Sequence, residues 1–448
     1  MEIRKRKTIN YNFGEKHKEY IRKCRTCAIN VAEGAVRACK TIDNVFAFAA
    51  ELKTAPDRIH LVTGSTVGNA KLNIGDANGF GLEWIFRGQC HWGKYKDNEA
   101  LIIKGPSTGN REKIVLFAGG AKQDSYKKIR GNSYGMWLAT EINLHHDNTI
   151  KEANNRLLAS KHLKIFWDLN PDNPKAPIYK EYIDNWKDKA AAGEMPEGYN
   201  YMHCTIYDNI NIPEDRLREI ESRYDPNSIW FMRDIKGIRI VANGLIYRSF
   251  ANMVTSGSTA YLLQDKPQDI MEINIGVDFG GNGSGHSFTA TAITRGYRLV
   301  VALASRWIDC KNGDITPAEL EEAFLDFCRG VIAKYGYITR VYCDSAEQTL
   351  IAGLRAAARK NGFIWLQIDN AAKLAINDRI QAVSSLMAQG RFFYMQGCDS
   401  LVNALCTCMW DPDKPTKNER LDDGSTDIDS CDSFEYSFER AIGLLLRY

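Results

Sequence analysis

The stretch Gly34–Thr41, with the sequence GAVRACKT, constrains the fold of this 448-residue chain more than any other. It has the spacing of the phosphate-binding loop G-x-x-x-x-G-K-[ST], except that Cys39 takes the place of the second glycine. In such a loop, backbone N–H groups surround the phosphates of a nucleotide, Lys40 reaches the β- and γ-phosphate oxygens, and the Thr41 hydroxyl binds Mg²⁺. Apolar residues follow from Val45 to Leu52, as the supporting helix requires.

A second glycine-rich stretch, residues 64–71, competes for the same role. Ala70 stands where the lysine should be and Lys71 comes one position late, so we interpret this stretch as a loop that follows a strand. A phosphate-binding loop also needs a carboxylate at the end of a neighbouring strand. The run Met136–Glu141 offers one, and Glu141 is predicted to be the general base that polarises the attacking water. Thr140 occupies the place where an aspartate usually helps with the metal, and capping of the next helix is the alternative role of Glu141.

Size and composition limit the class of protein. At 50.6 kDa the chain is too long for one compact core, and 44% hydrophobic with 25% charged residues is typical of globular proteins. No apolar run approaches the ~20 residues that cross a bilayer, so we expect no membrane span. The basic start is not followed by the apolar stretch of a secretion signal, so the 12 cysteines are expected to be reduced thiols in the cytosol.

Charge is unevenly distributed along the chain. Residues 1–60 carry 13 Lys and Arg against 7 Asp and Glu, whereas residues 411–448 carry 5 against 10. A basic segment suits a polyanionic partner, because phosphate neutralisation dominates nucleic-acid affinity. The acidic segment could bind divalent metal or could be a solvated surface.

Periodicity predicts two α/β units. The first has strands at 59–62, 114–117, 136–139 and 163–167. The second begins with three strands at 272–278, 288–294 and 299–304, followed by a helix with Thr316, Pro317 and Glu319 as its start signals. A strand at 338–343 and further helices and strands (346–360, 363–368, 378–389) complete a ribonuclease-H-like order. The predicted fold class is α/β, with a P-loop NTPase domain (1–245), a linker (246–270) and a ribonuclease-H-like nuclease domain (271–448).

Two aspartates end strands of the second unit that should be neighbours, Asp278 and Asp344. Adjacent strands lie ~4.8 Å apart, which is close enough for two carboxylates to bridge divalent ions ~3.5–4 Å apart. A third ligand is expected among Asp427, Asp429 and Asp432, ahead of a helix. Oxygen ligands favour Mg²⁺ or Mn²⁺. Alternatively, residues 277–283 form the first phosphate loop of an actin-like ATPase, or the two aspartates are only turn residues.

Together these motifs resemble the large terminase subunit of tailed double-stranded-DNA phages over nearly the whole chain. The resemblance rests on the motifs EGAVRACKT (33–41), KIRG (128–131), LNP (169–171), CDSAE (343–347) and DSFEY (432–436).

The resemblance implies an ATP-driven motor that docks on a portal protein, moves double-stranded DNA into a prohead and cuts the concatemer. It implies that ATP and metal contact Gly34, Arg37, Lys40 and Thr41, with Arg37 sensing the γ-phosphate. Glu141 would then be the catalytic carboxylate and Asn170 the coupling residue, and Asp278, Asp344 and Asp432 would hold Mg²⁺ or Mn²⁺ in a nuclease. The implied partners are DNA, the portal protein and a small terminase subunit; the implied state is a homo-oligomeric ring on the prohead and a monomer in solution, in the host cytoplasm.

Cys39 and Thr140 depart from the family pattern and predict weak ATP hydrolysis by the isolated chain. Two other functions fit parts of the pattern. One is a repair-type helicase–nuclease, against which the lack of a second motor domain argues. The other is a DNA-binding assembly subunit with a degenerate, inactive loop.

Overall fold

The computed structural model describes residues 11–280, 285–310, 315–414, 417–423 and 427–447. Internal contacts divide the chain into two compact units. The first comprises Met1–Leu217 and Met232–Ile240, and the second comprises Arg218–Phe231 and Val241–Tyr448. No helix among the described residues is long and apolar enough to cross a membrane.

The first unit contains one eight-stranded sheet whose order is β3-β4-β5-β2-β6-β7-β1-β8. All pairs are parallel except β3–β4 and β4–β5. The strands are β1 (Ile29–Gly34), β2 (Ile59–Gly64), β3 (Cys90–Tyr95), β4 (Asn98–Ile103), β5 (Lys113–Gly119), β6 (Met136–Ala139), β7 (Lys164–Leu169) and β8 (Tyr199–Cys204).

Helices cover this sheet, and its central strands are buried along their whole length. The helices are α1 (Glu15–Cys24), α2 (Lys40–Thr54), α3 (Val67–Ala70), α4 (Leu82–Ile85), α5 (Asp147–Leu157) and α6 (Asp184–Ala191). The boundary between the two units, at Leu217 and Arg218, falls within the next helix, α7 (Glu214–Glu221). All four strands predicted in this unit are present, because continuous apolar runs are what a parallel sheet covered on both faces requires. The β3–β4 hairpin was not predicted. It turns at Lys96 and Asp97, both with positive φ, which is a two-residue turn without the usual glycine.

The second unit contains a seven-stranded sheet in the order β14-β13-β10-β11-β12-β15-β9. Strands β10, β11 and β12 form an antiparallel meander, and the remaining pairs are parallel. The strands are β9 (Leu262–Leu263), β10 (Ile270–Asp278), β11 (His286–Thr294), β12 (Val300–Ile308), β13 (Arg340–Cys343), β14 (Ile368–Asn370) and β15 (Phe392–Met395). The predicted meander, and its pairing through β10 with β13, give the ribonuclease-H-like order, so the predicted α/β fold class is confirmed.

Seven helices are described in this unit. They are α8 (Arg248–Thr255), α9 (Pro317–Tyr335), α10 (Gln348–Lys360), α11 (Ile376–Ala388), α12 (Asp399–Thr407), α13 (Asp429–Phe438) and α14 (Ile442–Leu445). Helix α9 begins with the predicted capping box, in which Thr316 accepts from the Glu319 N–H and Glu319 accepts in return. Residues 246–270, expected to be a linker, include α8 and β9 and lie within the second unit.

The predicted strand 363–368 is mostly not a strand. Phe363 and Leu366 are buried in the hydrophobic core of the second unit, and regular pairing with β13 begins only at Ile368. The apolar pattern therefore identified a segment that alternates between buried and exposed side chains and joins the sheet only at its end.

Helix α13 lies unusually close to the sheet, over Gly276 of β10. A Cβ atom at this position would overlap the backbone carbonyl oxygen of Ser433. Hydroxyl groups form part of this interface: the Ser433 hydroxyl is 2.9 Å from that of Ser287 and 2.8 Å from that of Thr289 on β11. Small side chains on both surfaces thus let α13 approach the sheet and bring its first turn beside the end of β10.

Replacing Gly276 by alanine is expected to destabilise the second unit, since the added methyl group must push α13 away from β10. Overpacking of this kind costs ~1–3 kcal/mol of unfolding free energy. Urea unfolding followed by tryptophan fluorescence measures it. Gly330→Ala is the matched control, because this exposed position in α9 has open space around it and alanine should stabilise the helix by ~0.5–1 kcal/mol. Equal effects of the two substitutions would contradict the close approach.

Candidate functional site

The loop between β1 and α2 has the backbone shape of an anion-binding nest. Strand β1 ends at Gly34 and α2 begins at Lys40, and between them Arg37 (φ 60°) and Cys39 (φ 68°) adopt left-handed conformations. Such alternation turns successive N–H groups toward one concave space, which favours phosphate. This stretch thus has the backbone shape expected of the predicted phosphate loop. The competing stretch 64–71, interpreted from the sequence as a loop, instead contains α3, which begins three residues after the end of β2.

The Lys40 ammonium group lies inside this loop. Its Nζ donates to the carbonyl oxygens of Gly34 (2.9 Å) and Ala35 (2.5 Å) and to Oδ1 of Asn170 (3.0 Å). Burial lowers the pKa of Lys40. Two residues predicted for different roles, Lys40 and Asn170, are thus in direct contact. Arg37 is exposed, and its carbonyl oxygen accepts from Asn209 at 2.7 Å.

Glu141 follows β6 and has a left-handed backbone (φ 53°) at the start of a short 3₁₀ turn. Strand β6 is not the direct neighbour of β1, because β7 lies between them. Asp168 near the end of β7 therefore stands between the Glu141 region and the phosphate loop, in register with Ala32 of β1.

Asp168 is a buried acid that the sequence reasoning missed. Its Oδ1 accepts from the Thr140 hydroxyl and from the Glu141 N–H, both at 3.1 Å. Its Oδ2 is buried and has no hydrogen-bond partner among the described residues. Burial raises the pKa of Asp168 to about 6, and the nearby Lys40 charge opposes this rise. The sequence feature that could have indicated Asp168 is a single acidic residue near the end of the largely apolar strand β7 (KIFWDL).

A second missed group is Arg239, which holds Glu33 immediately before the loop. The guanidinium donates to both Glu33 oxygens, at 2.8 and 2.6 Å, and also pairs with Asp184. The Tyr201 hydroxyl donates to the same carboxylate at 2.8 Å. Because Glu33 is buried, this bidentate pair supplies the countercharge that its carboxylate needs, and it fixes the end of β1.

In the second unit the two strand-ending aspartates are adjacent, as predicted. Strands β10 and β13 are parallel with Val277 opposite Cys343, and the Asp344 N–H donates to the Val277 carbonyl oxygen at 2.9 Å. Asp278 is 7% exposed, and no described residue donates a hydrogen bond to its carboxylate. Burial, reinforced by the negative charges of Asp432, Asp429 and Asp344, raises the pKa of Asp278 well above its usual range.

Basic side chains neutralise part of this acidic cluster. Lys373 Nζ contacts Asp344 at 2.5 Å, and the turn that carries it is held by Glu439, which accepts from the N–H groups of residues 372–374. Arg379 lies 2.8 Å from both Asp432 and Glu435. Arg420 pairs with the same two acids.

The three candidates for a third metal ligand differ in their surroundings. Asp427 precedes α13 and accepts from the Ser430 N–H at 2.9 Å. Asp429 accepts at Oδ2 from the Gly285 N–H (2.9 Å) and from Trp307 (3.0 Å). Asp429 and Asp432 occupy the first turn of α13, and both of their charges act on Asp278.

Among the described residues, no three Asp, Glu, His or Cys side chains are arranged as a closed metal-binding group. The donor chemistry nevertheless fits a divalent cation. Asp278 is buried, lacks a hydrogen-bond donor among the described residues and faces other acids, and hard oxygen donors of this kind suit Mg²⁺ or Mn²⁺. A metal ion would compete with Lys373 for Asp344 and with Arg379 for Asp432.

The fold is that of a two-unit α/β protein, with a nest-shaped loop between β1 and α2 in the first unit and a sheet of ribonuclease-H-like order in the second. No protein-family model and no curated protein matches the sequence. Solved structures do match. The large terminase from a thermophilic bacteriophage, in a crystal form without a named ligand, has a TM-score of 0.71 and 17% identity, over 96% of this chain and 99% of that chain.

Two ligand complexes of the same thermophilic-phage terminase are also similar. The complex with ADP has a TM-score of 0.68 and 18% identity, over 97% of this chain and 100% of that one. The complex with ATP-γ-S has a TM-score of 0.66 and 17% identity, over 96% and 100%. This chain therefore has the fold of a phage large terminase along nearly its whole length.

Replacing Asp168 by asparagine is expected to raise stability at neutral and alkaline pH. Because the folded-state pKa of this acid lies near 6, above its unfolded value, the ionised form opposes folding above pH 6. The variant should be more stable by on the order of 1–3 kcal/mol at pH 8. This advantage should disappear as the pH falls from about 6 to about 4, where wild type is protonated.

Denaturant titrations across this pH range measure the effect. The exposed helix residue Asp188 provides the matched control, and Asp188→Asn should change stability by less than ~0.5 kcal/mol at every pH. A difference between Asp168→Asn and wild type that does not vary with pH would contradict the assignment.

Proposed function

We propose that this chain is a DNA-packaging terminase subunit that hydrolyses ATP to move double-stranded DNA and cuts that DNA with divalent metal. The observation that supports this most strongly is the pair of sites in one chain. A phosphate loop with Lys40 and Asp168 lies in the first unit, and adjoining strand ends carry Asp278 and Asp344 in the second. The thermophilic-phage large terminase, which shares the fold, is described in complex with ADP and with ATP-γ-S.

In the nucleotide site, Lys40 is the group that neutralises the β- and γ-phosphates of ATP. Its three acceptors, Gly34, Ala35 and Asn170, are released when the ammonium group turns to phosphate, so Asn170 changes partner with nucleotide binding. This exchange gives Asn170 the coupling role. Arg37 projects from the loop with an exposed guanidinium and can approach the γ-phosphate.

Asp168 supplies the metal-site carboxylate that Thr140 lacks. The Thr140 hydroxyl orients the Asp168 carboxylate, and the buried Oδ2 is left without a donor among the described residues. Thr41 and Asp168 are the residues that would hold the Mg²⁺ ion of ATP. Glu141, on the turn that also donates its N–H to Asp168, is placed to polarise water.

In the nuclease site, Asp278, Asp344 and Asp432 are the residues that would hold divalent metal, with Asp429 beside them. Divalent ions there would stabilise the charge that develops on a phosphodiester during hydrolysis. Before metal binds, Lys373 and Arg379 balance part of the negative charge of these aspartates. Glu439 keeps Lys373 in place through the three N–H groups of its turn.

The partners that follow from this function are double-stranded DNA, a portal protein and a small terminase subunit. A homo-oligomeric ring on the prohead and a monomer in solution are the states we propose, in the cytoplasm of the host cell.

The nuclease half is tested by Asp344→Ala. Mn²⁺-dependent nicking of supercoiled plasmid is expected in wild type and should fall at least about a hundredfold in the variant, because one carboxylate of the cluster is lost. Asp326→Ala, which removes an exposed acid on α9, should nick like wild type. Circular dichroism and the thermal midpoint check folding. Undiminished nicking by folded Asp344→Ala would remove Asp344 from the reaction.

The ATPase half is tested at Cys39, whose left-handed backbone costs a non-glycine residue ~1–2 kcal/mol and whose Cβ lies in the phosphate loop. Cys39→Gly is expected to bind ATP more tightly by ~1 kcal/mol, about fivefold, and to raise the weak hydrolysis rate. Calorimetric titration with ATP and Mg²⁺ measures this. Cys39→Ala retains the Cβ and should match wild type. Equal affinities of the glycine and wild-type proteins would refute the steric explanation.

A further inference from the structure

A solvent-open cavity of about 510 Å³ lies at the β13–β14 edge of the second sheet and has three arginines among its six lining residues. Its lining residues are Arg340, Tyr342, Arg355, Asp369, Asn370 and Arg440. None of them belongs to the set that would hold metal. Three guanidinium groups against one carboxylate leave a net positive charge, so the cavity favours an anionic ligand.

The guanidinium groups are oriented by the surrounding protein. Arg440 donates to the Asn370 carbonyl oxygen at 3.0 Å and lies over the Tyr342 ring, 5.2 Å from its centre. Arg355 donates through Nε to the Ile368 carbonyl oxygen at 2.8 Å. Arg340 pairs with Asp369 at 3.3 Å. These contacts use only part of the five donors that each arginine carries, and the planar guanidinium matches phosphate oxygens better than an ammonium does.

The part of the cavity formed by β13 lies on the face of the sheet that α13 covers. Side chains alternate along β13, so Arg340 and Tyr342 point to this face, and Asp344 follows the strand two residues after Tyr342. Tyr342 packs with Tyr436 of α13, the helix that carries Asp432. Two residues of strand span ~6.6 Å, so Tyr342 lies about that far along the sheet from Asp344, and Arg340 about twice as far.

We infer that this cavity binds a backbone phosphodiester of the DNA strand whose neighbouring phosphodiester is at the Asp278–Asp344 cluster. The inference rests on the proposed nuclease function and adds a binding subsite to it. A strand of DNA carries one charge per ~3.4 Å of helix axis, so a strand held at Asp344 necessarily places further phosphates within reach of the cavity. The arginines of the cavity bind one phosphodiester and so set the position of the strand. The reacting phosphodiester then lies at the acidic residues.

Arg340 and Arg440 are the residues to change. Arg355 is left in place because its half-buried side chain ties α10 to β14, whereas the Arg440 contact with β14 is solvent-exposed. Arg340→Gln and Arg440→Gln are compared with Arg359→Gln, which removes the same charge from an exposed position at the end of α10 outside the cavity. Binding of a fluorescent DNA duplex to the full chain is followed by anisotropy in EDTA, where metal-dependent cleavage does not occur, over a series of NaCl concentrations.

Each cavity variant is expected to weaken binding about three- to tenfold and to reduce the magnitude of the slope of log K against log[NaCl] by about 1, while Arg359→Gln matches wild type. Replacing part of the NaCl by sodium phosphate at equal ionic strength separates a free-anion site from a DNA subsite. The difference between wild type and the cavity variants should persist in phosphate. A difference that phosphate abolishes would indicate a site for the free anion and contradict the subsite.

Cavity variants that bind DNA as Arg359→Gln does would overturn the subsite, and if wild type still nicks plasmid in Mn²⁺ the proposed function would stand. Wild type that neither binds DNA nor nicks it would overturn the function and the subsite together. A variant that unfolds, detected by circular dichroism, is replaced by Arg340→Lys. This variant keeps the charge but loses the planar fork, and it should show the wild-type salt slope with weaker binding.

Discussion

Negative charge crowded against a buried strand end is the constraint on which the second unit depends. Asp278 has almost no contact with solvent and faces three other acids, so its ionised form is costly unless cations are near. The fold supplies Lys373, Arg379 and Arg420 from three separate segments. Each is itself held in place, since Glu439 fixes the Lys373 turn and Glu435 lies between the two arginines. The acidic cluster and its counterions therefore form one cooperative element.

The first unit also contains buried carboxylates, but their charges are compensated differently. Glu33 is satisfied by a bidentate arginine and a tyrosine hydroxyl, whereas Asp168 keeps one oxygen without a partner among the described residues. A buried carboxylate that is left partly unsatisfied costs stability. Glu33 is thus fully paired, whereas Asp168 keeps an oxygen that a cation would stabilise.

The sequence predicted those features that depend on local pattern. Apolar runs predicted the central strands, the capping box predicted the start of α9, and strand-ending acids predicted the adjacency of Asp278 and Asp344. The contacts that decide the sites are not local. Arg239 and Glu33 are 206 positions apart, and the neighbourhood of Asp168 depends on β7 lying between β6 and β1. Which of Asp427, Asp429 and Asp432 lies near Asp278 depends on where α13 begins and on how closely Gly276 lets this helix approach β10. The hydrophobic periodicity of the sequence contains neither piece of information.

The return of the chain to the first unit at Met232–Ile240 has a consequence for biosynthesis. When the ribosome has made residue 217, the residues of all eight strands of the first sheet have been synthesised. Arg239, whose guanidinium group neutralises Glu33, has not. The Gly237 backbone also has yet to pack against Gly34, and Asp234 has yet to accept from the Val36 N–H. The nascent phosphate loop therefore remains incomplete until translation passes residue 240. By then the ribosome has already made Arg218–Phe231, the first segment of the second unit.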